Sequence, residues 1–277
     1  MEDKLAGNVE SRDLRDVIFE NVKSKEVKAS IRAKGEGIVS GIVEMLEAAK
    51  KLGLYVVSHV PEGTKVMSGD VIAVLMGTPK QVTLAEDFLV GLIAKPSGIA
   101  TAARKAVELS QGKVTVVSGA WKKMPFQIKD LIRKALMVGG VKIRISEEPF
   151  IYLDKNYIRI FGSIEKAVEC AVNIKNRVKV VHIIGETDSI ENEAVKAAEC
   201  GADIIFVDTG DITDLEKVAK VLINRGLRQR IKIAFGGSIK LEDIPKLCEK
   251  DVDILDVGRA ILDAPMLDIS FDVHYSR

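Results

Sequence analysis

The C-terminal part of the chain alternates between short apolar runs and stretches with helical spacing. The runs predict buried strands at residues 114–117, 141–145, 178–184, 204–207, 231–235 and 254–257. Between two of these runs, Ile164, Ala167, Val168 and Ala171 recur at the spacing of an amphipathic helix. Such alternation predicts parallel strands with helical crossovers. About six or seven strand-and-helix units follow one another, and this number favours a β/α barrel over an open doubly wound sheet. No G-x-G-x-x-G motif follows the first strand, which weakens the alternative of a dinucleotide-binding sheet.

The N-terminal part has a different pattern, in which glycines interrupt short alternating stretches. Apolar residues on one face predict a helix over residues 41–52, and alternation predicts strands at 55–59 and 71–76. Pro96 is expected to start a further helix, because proline is tolerated in a first turn. These elements predict a small α+β domain ahead of the barrel.

Composition and charge exclude several classes of protein. Lysine and arginine total 41 and Asp and Glu total 40, and this balance argues against nucleic-acid or membrane-surface partners. Hydrophobic residues make up 47%, which suits a large core. No apolar leader and no run of ~18 apolar residues is present. The three cysteines lie far apart in sequence and suggest no disulfide framework. A cytoplasmic protein is expected.

Two glycine turns follow the last two predicted strands. The first is Gly236-Gly237-Ser238 and the second is Gly258-Arg259. In a β/α barrel the loops at these strand ends often bind phosphate through backbone N–H groups, which glycine leaves accessible. Arg259 is a candidate for a bidentate phosphate contact. The alternative is that the glycines only form tight turns.

Acidic and basic side chains follow other predicted strands. Asp208 ends an apolar run and is a candidate for holding Mg²⁺ on a diphosphate, because Thr213 is expected to cap the next helix. Glu186 is a second candidate carboxylate. Lys122 and its neighbour Lys123 suit an anionic substrate at the barrel mouth. The alternatives are that the two acids only cap helices and that the two lysines are ordinary solvated residues.

Four further residues are candidate substrate ligands. Arg144 comes after Val141 within the run 141–145, and Lys155 and Asn156 lie at the end of the next segment. Arg144 and Lys155 are either anion ligands or ordinary surface charges. His182 lies within an apolar strand, and a buried structural histidine is weighed there against an inward-pointing site residue.

Motifs from about residue 30 to the C-terminus occur in the order of a known family. They include S-G-I-A-T at 97–101, G-G at 139–140, G-A-D-I-I at 201–205 and L-D-I-S at 267–270. By these motifs the chain resembles the quinolinate phosphoribosyltransferase family. The resemblance implies an N-terminal α+β open sandwich over residues 1–110, joined by a C-terminal strand at 266–277, and an incomplete β/α barrel over residues 111–265.

The resemblance also implies an activity. The family joins quinolinate to phosphoribosyl pyrophosphate and releases pyrophosphate and carbon dioxide, which leaves nicotinate mononucleotide for NAD biosynthesis. Mg²⁺ binds the pyrophosphate, basic residues hold the carboxylates and phosphates, and acidic residues support the oxocarbenium-like centre. Homodimers, or hexamers assembled from dimers, are the implied assemblies.

Several basic positions of the family pattern are changed in this chain. Asp87 stands where the family has an arginine, and only Lys122 remains of its Thr-Arg-Lys-Thr motif. The phosphate-side positions that match are Asp208, Gly236, Gly237 and Gly258. An aspartate in place of an arginine repels a dicarboxylate, so the acceptor is expected to differ from quinolinate.

Three hypotheses follow from these residues. The first is a Mg²⁺-dependent phosphoribosyltransferase that acts on quinolinate or on a less acidic ring. The second is a non-catalytic relative that binds a phosphorylated ligand or a partner protein. The third is another phosphate-handling barrel enzyme, in which Lys122 or Lys155 forms a Schiff base.

Overall fold

The computed structural model describes residues 13–274 of the chain, which divides into two units. The first unit contains the chain up to Ser97 together with the segment from Met266 onwards, and the second unit is Gly98–Pro265. The predicted boundary at residue 110 is the C-terminal end of the helix in which this division falls. Residues 1–12 and 275–277 lie outside the described residues. The end of the strand predicted at 266–277 and most of the charged N-terminal segment are therefore outside them as well.

The first unit is built on an antiparallel sheet. Its elements are α1 (Leu14–Ile18), β1 (Val27–Ala33), β2 (Gly37–Ile38), α2 (Ile42–Lys51), β3 (Tyr55–His59), β4 (Lys65–Val66), β5 (Val71–Gly77), the helix α3 (Pro79–Ser110) that continues into the second unit, and a later strand at Ile269–Val273. The strand order is Ile269–Val273, β1, β5 and β3, and β2 pairs with β4. The C-terminal strand at Ile269–Val273 thus pairs with β1 in the sheet of the first unit.

Pro96 does not start a helix, because it lies inside α3. Proline has no N–H, so the carbonyl of Leu92 loses its donor in the helix. That carbonyl lies against Gly41, where any Cβ would overlap it. Gly41 also has a positive φ of 94°, so glycine is required there for two reasons. The proline therefore marks a close approach of α3 to the start of α2.

The second unit alternates strands and helices. Its strands are β6 (Thr115–Val117), β7 (Phe150–Leu153), β8 (Val178–Ile183), β9 (Ile204–Val207), β10 (Lys232–Phe235) and β11 (Ile254–Asp256), so Ile269–Val273 is β12. Its helices are α4 (Lys129–Val138), α5 (Lys155–Phe161), α6 (Ile164–Val172), α7 (Ile190–Glu199), α8 (Ile212–Asn224), α9 (Ile244–Leu247) and α10 (Arg259–Leu262). Short 3-10 turns occur at Glu20–Val22, Ala120–Lys123, Phe126–Ile128, Arg228–Arg230 and Leu241–Asp243.

The six strands form one parallel sheet in the order β6, β11, β10, β9, β8, β7. Within residues 13–274, no strand pairing joins β6 to β7, and an isolated bridge links Val117 to Lys142. The predicted α/β fold with an incomplete β/α barrel is confirmed. No helix in the described part of the chain is long and apolar enough to cross a membrane.

The strand predicted at residues 141–145 is wrong. Val141 donates to the Leu136 carbonyl at 3.0 Å and so continues the turn that ends α4. The place in the sheet beside β8 belongs to β7, which is only partly buried over most of its length. Partial burial explains why β7 lacks the uniformly apolar pattern of the other strands.

Apolar side chains fill both faces of the sheet. A small inner cluster includes Val180, Ile204, Phe206 and Ala234, and a larger cluster packs the helices against the outer face. The inner cluster fills the space below the C-terminal strand ends. The loops at those strand ends therefore lie above a packed apolar core. In a β/α barrel the active site is expected among these loops.

Candidate active site

A cavity of about 690 Å³ opens at the C-terminal ends of the barrel strands. Six of the predicted site residues line it, and they are Lys122, Asp208, Gly237, Ser238, Gly258 and Arg259. Lys123, which the sequence analysis paired with Lys122, lines it too, and the structure adds Tyr152, Thr209, Gly210 and Asp256. The parallel strands bring these residues together from loops that are far apart in sequence.

Two glycine turns contribute residues to the lining of the main cavity. Gly237, Ser238 and Gly258 line it, and their N–H groups donate to no residue in the range 13–274. Gly236 lies behind them, and its carbonyl accepts a hydrogen bond from Gly210 at 2.9 Å. Free amides from two adjacent turns are suited to hold phosphate oxygens.

Gly237 is fixed by its surroundings. Its φ is +102°, and a Cβ there would overlap the backbone of Gly210. We expect Gly237→Ala to lower the free energy of unfolding by about 3 kcal/mol, because strain and overlap both oppose the alanine. Chemical denaturation measures this loss. Gly226→Ala is the matched control, since Gly226 also has positive φ but open space around it, and should cost about 1 kcal/mol. Equal losses in the two variants would contradict the close packing of the turn.

Three cations line the main cavity. Lys122 and Lys123 belong to the 3-10 turn that follows β6, and both are exposed to solvent. The Nζ atom of Lys122 lies 5.8 Å from the centre of the Tyr152 ring, and it makes no ion pair within the described residues. Arg259 is exposed, and its Nε lies 3.2 Å from Oδ2 of Asp263. The two lysines and the arginine give this wall a positive charge.

Asp208 follows β9 and is held by His182. The Nε2 of His182 lies 3.0 Å from Oδ2 of Asp208. The imidazole is buried and packs at 5.5 Å, centre to centre, from the ring of Phe206. Its Nδ1 has no partner among the residues that the structure describes. His182 is therefore buried and in contact with a cavity residue, although it does not itself line the cavity.

The cap of α8 is not the predicted one. Asp211 caps this helix by accepting from the backbone N–H of Thr213 at 2.8 Å, and Thr213 lies in the first turn. The Asp208 carboxylate therefore has no capping role in α8.

Asp256 is a site residue that sequence reasoning missed. It ends β11 and lines the cavity, and its Oδ1 accepts from the Gly119 N–H at 3.0 Å. Burial raises the pKa of the Asp256 carboxyl, and the nearby Asp208 carboxylate adds to the rise, while the Gly119 hydrogen bond opposes it. Burial likewise raises the pKa of the Tyr152 hydroxyl, so this phenol stays neutral as a donor. A single acid inside the apolar run 254–257 was the signal that could have revealed Asp256.

A second cavity of about 400 Å³ adjoins the first and shares Gly119, Lys122, Tyr152, Phe206 and Asp256 with it. We call it the aromatic annex, and the residues that line it alone are Val117, Trp121, Ile143, Arg144, Ile145 and Phe150. Arg144 is thus placed in the annex and not in the main cavity.

Three predicted site residues lie elsewhere. Glu186 forms a hydrogen-bonded ion pair with Arg159, with Nε to Oε1 at 2.9 Å. Lys155 and Asn156 form the exposed first turn of α5, because Asp154 caps that helix by accepting from Asn156 N–H at 2.9 Å. None of the three lines either cavity at the strand ends.

Comparisons with known proteins agree over nearly the whole chain. The model of the quinolinate phosphoribosyl transferase C-terminal domain matches residues 99–272, and that of the N-terminal domain matches residues 16–97. A probable nicotinate-nucleotide pyrophosphorylase (carboxylating) of Archaeoglobus fulgidus is 30% identical over 254 residues, covering 91% of this chain and 96% of that protein. The human nicotinate-nucleotide pyrophosphorylase (carboxylating) is 29% identical over 247 residues, covering 88% and 81%.

The fold has close counterparts among solved structures. A crystal structure of nicotinate-nucleotide pyrophosphorylase from Pyrococcus furiosus superposes with a TM-score of 0.80 at 24% identity, covering 99% of this chain and 78% of that one. NadC from Streptococcus pyogenes superposes with a TM-score of 0.80 at 22% identity, covering 98% and 93%. The two domain models and the A. fulgidus relative together show that the chain belongs to the quinolinate phosphoribosyltransferase family.

Proposed function

We propose that this protein is a Mg²⁺-dependent phosphoribosyltransferase. It transfers the phosphoribosyl group of phosphoribosyl pyrophosphate to the ring nitrogen of an aromatic acceptor and releases pyrophosphate. The observation that carries the proposal is the main cavity, where free amides of Gly237, Ser238 and Gly258 share one space with Lys122 and Asp208. The relatives named nicotinate-nucleotide pyrophosphorylases support a place in NAD biosynthesis.

The residues of the main cavity divide into two roles. Amides of the glycine turns and the cations Lys122, Lys123 and Arg259 suit phosphate oxygens, and they fix the sugar phosphate in place. The carboxylates of Asp208 and Asp256 suit the positive charge that develops on the ribose as the pyrophosphate leaves. Positioning and electrostatic stabilisation are thus the contributions of the protein.

Asp208 is the residue that would hold a magnesium ion, through its carboxylate. One carboxylate oxygen is engaged by His182, so the other is available. Among residues 13–274 no three acidic, histidine or cysteine side chains form a ready metal cage. Mg²⁺ commonly binds one or two carboxylates and completes its shell with water and substrate phosphates. When bound, it would neutralise charge on the leaving pyrophosphate.

The proposal includes a changed acceptor and an assembled state. The charged side chains of the annex are those of Lys122, Arg144 and Asp256, which is a poor set for a dicarboxylate. We also propose a cytoplasmic homodimer, or a hexamer assembled from dimers, and light scattering of the purified chain measures the assembly directly.

Calorimetric titration with phosphoribosyl pyrophosphate tests the proposal. We expect binding in the micromolar range with Mg²⁺ present, followed by pyrophosphate release once an aromatic nitrogen acceptor is added. Absence of heat at millimolar ligand would contradict the proposal. Binding without turnover of any acceptor would favour the non-catalytic relative instead. The Schiff-base hypothesis has no structural support, because Lys122 is exposed and Lys155 lies outside the cavities.

A further inference from the structure

The walls of the aromatic annex are suited to a flat ring. Trp121, Phe150 and Tyr152 line it together with Ile143 and Ile145. The indole of Trp121 is held in place, because its N–H donates to the Ile143 carbonyl at 3.1 Å. The Arg133 guanidinium lies 4.8 Å from the indole ring and fixes it further. Rigid aromatic walls of this kind bind planar ligands by stacking and by burial of apolar surface.

The charges of the annex are few and unevenly placed. Arg144 lines the annex and makes no ion pair within residues 13–274, so its guanidinium is available to a ligand. Lys122 is shared with the main cavity, where phosphates would compete for it. Asp256 is also shared, and only its Oδ1 has a partner among the described residues, which is the Gly119 N–H. The annex therefore has one cation of its own and lies against an acid.

We infer that the annex binds an aromatic nitrogen heterocycle with a single carboxylate and discriminates against an adjacent pair of carboxylates. Arg144 can hold one carboxylate in a bidentate contact. A second carboxylate would either face the charge of Asp256 or force that side chain to take up a proton, and both outcomes weaken binding. This inference rests on the proposed function, because the bound ring is the acceptor.

The transfer then has a simple balance. The ring nitrogen donates its lone pair to C1 of the ribose, the bond between C1 and the pyrophosphate oxygen breaks, and pyrophosphate leaves with that electron pair. The single ring carboxylate is retained in the product. No carbon dioxide is released, in contrast to the decarboxylating reaction that the family resemblance implies.

The chain contains one tryptophan, and because Trp121 lines the annex its fluorescence reports ring binding. We expect pyridine-3-carboxylate to bind at least tenfold more tightly than either pyridine-2,3-dicarboxylate or pyridine-3-carboxamide, with and without phosphoribosyl pyrophosphate and Mg²⁺. Equal or tighter binding of the dicarboxylate or of the carboxamide overturns the inference. Release of carbon dioxide during turnover overturns it as well.

Two variants assign the selectivity to residues. Arg144→Gln should weaken binding of the monocarboxylate at least tenfold and leave the carboxamide unchanged. Asp256→Asn keeps an oxygen for the Gly119 N–H and should strengthen binding of the dicarboxylate at least tenfold. Arg177→Gln, at an exposed arginine outside both cavities, is the control and should change neither. If the Arg144→Gln protein melts normally and binds the monocarboxylate with unchanged affinity, the role of this arginine is refuted.

The outcomes separate this inference from the proposed function. Calorimetry with phosphoribosyl pyrophosphate and Mg²⁺ reports the main cavity alone. If that ligand binds and none of the three rings alters the fluorescence, the inference about the annex fails and the proposed phosphate site stands. If the monocarboxylate binds and phosphoribosyl pyrophosphate does not, the proposed transfer fails although the annex is a ring site.

Discussion

Asp208→Asn should abolish the enhancement by Mg²⁺ of phosphoribosyl pyrophosphate binding. In the unchanged protein we expect Mg²⁺ to tighten binding by about 10- to 100-fold, which corresponds to about 1.5–3 kcal/mol for contacts to a charged group. The variant should lose nearly all of this factor, because an amide is a much weaker ligand for Mg²⁺ than a carboxylate. Calorimetric titrations with and without Mg²⁺ measure the factor for each protein.

The same titrations also test how Asp208 changes the affinity for phosphoribosyl pyrophosphate when Mg²⁺ is absent. Without Mg²⁺, the Asp208→Asn protein should bind phosphoribosyl pyrophosphate slightly more tightly than the wild-type protein does. The reason is that the substitution removes a negative charge from the cavity lining. Glu186→Gln is the control, since its carboxylate pairs with Arg159 away from the cavity, and it should keep the full Mg²⁺ factor. A large Mg²⁺ factor that persists in Asp208→Asn would place the ion elsewhere.

The positions of the phosphate-side residues could be predicted from the sequence. Parallel strands end at one edge, so residues that directly follow apolar runs must come together there. Asp208, Gly237 and Gly258 follow the ends of β9, β10 and β11 within two residues and do line one cavity. Lys122 follows β6 by only a few residues and lies in the same space.

The failures have a common physical cause. Position after a strand fixes which end of the barrel a residue occupies but not the direction of its side chain. Asp154 uses its carboxylate as a helix cap, and this turns Lys155 and Asn156 into the exposed start of α5. Tyr152 could not be assigned at all, because its strand, β7, was not predicted.

Asp87 is a position that the sequence identifies but does not explain. It lies on the exposed surface of α3, and its carboxylate forms an ion pair with Arg15. The aspartate that replaces the arginine of the family pattern thus has a partner within the first unit. Pairing of residues 72 positions apart cannot be derived from local pattern, because it depends on how α1 packs beside α3.

Lys122→Ala should reduce both the affinity for phosphoribosyl pyrophosphate and the rate of transfer. Lys122 lines both the main cavity and the annex, so under the proposed function its charge would act on the phosphates and near the reacting ring. Removal of one such donor typically lowers turnover by about 100- to 1,000-fold. We expect a loss of this size in the rate of pyrophosphate release, with at least a tenfold loss of affinity in calorimetry.

Lys155→Ala is the matched control for this loss. Both lysines are exposed and both were candidate anion ligands from the sequence, but only Lys122 lines the cavities. The control should therefore keep normal affinity and rate. If Lys155→Ala loses as much as Lys122→Ala, the effect is one of overall charge and not of position. If Lys122→Ala retains the rate, the phosphates must be held by the backbone amides and by Lys123 and Arg259, and the reaction then depends on the glycine turns more than on this lysine.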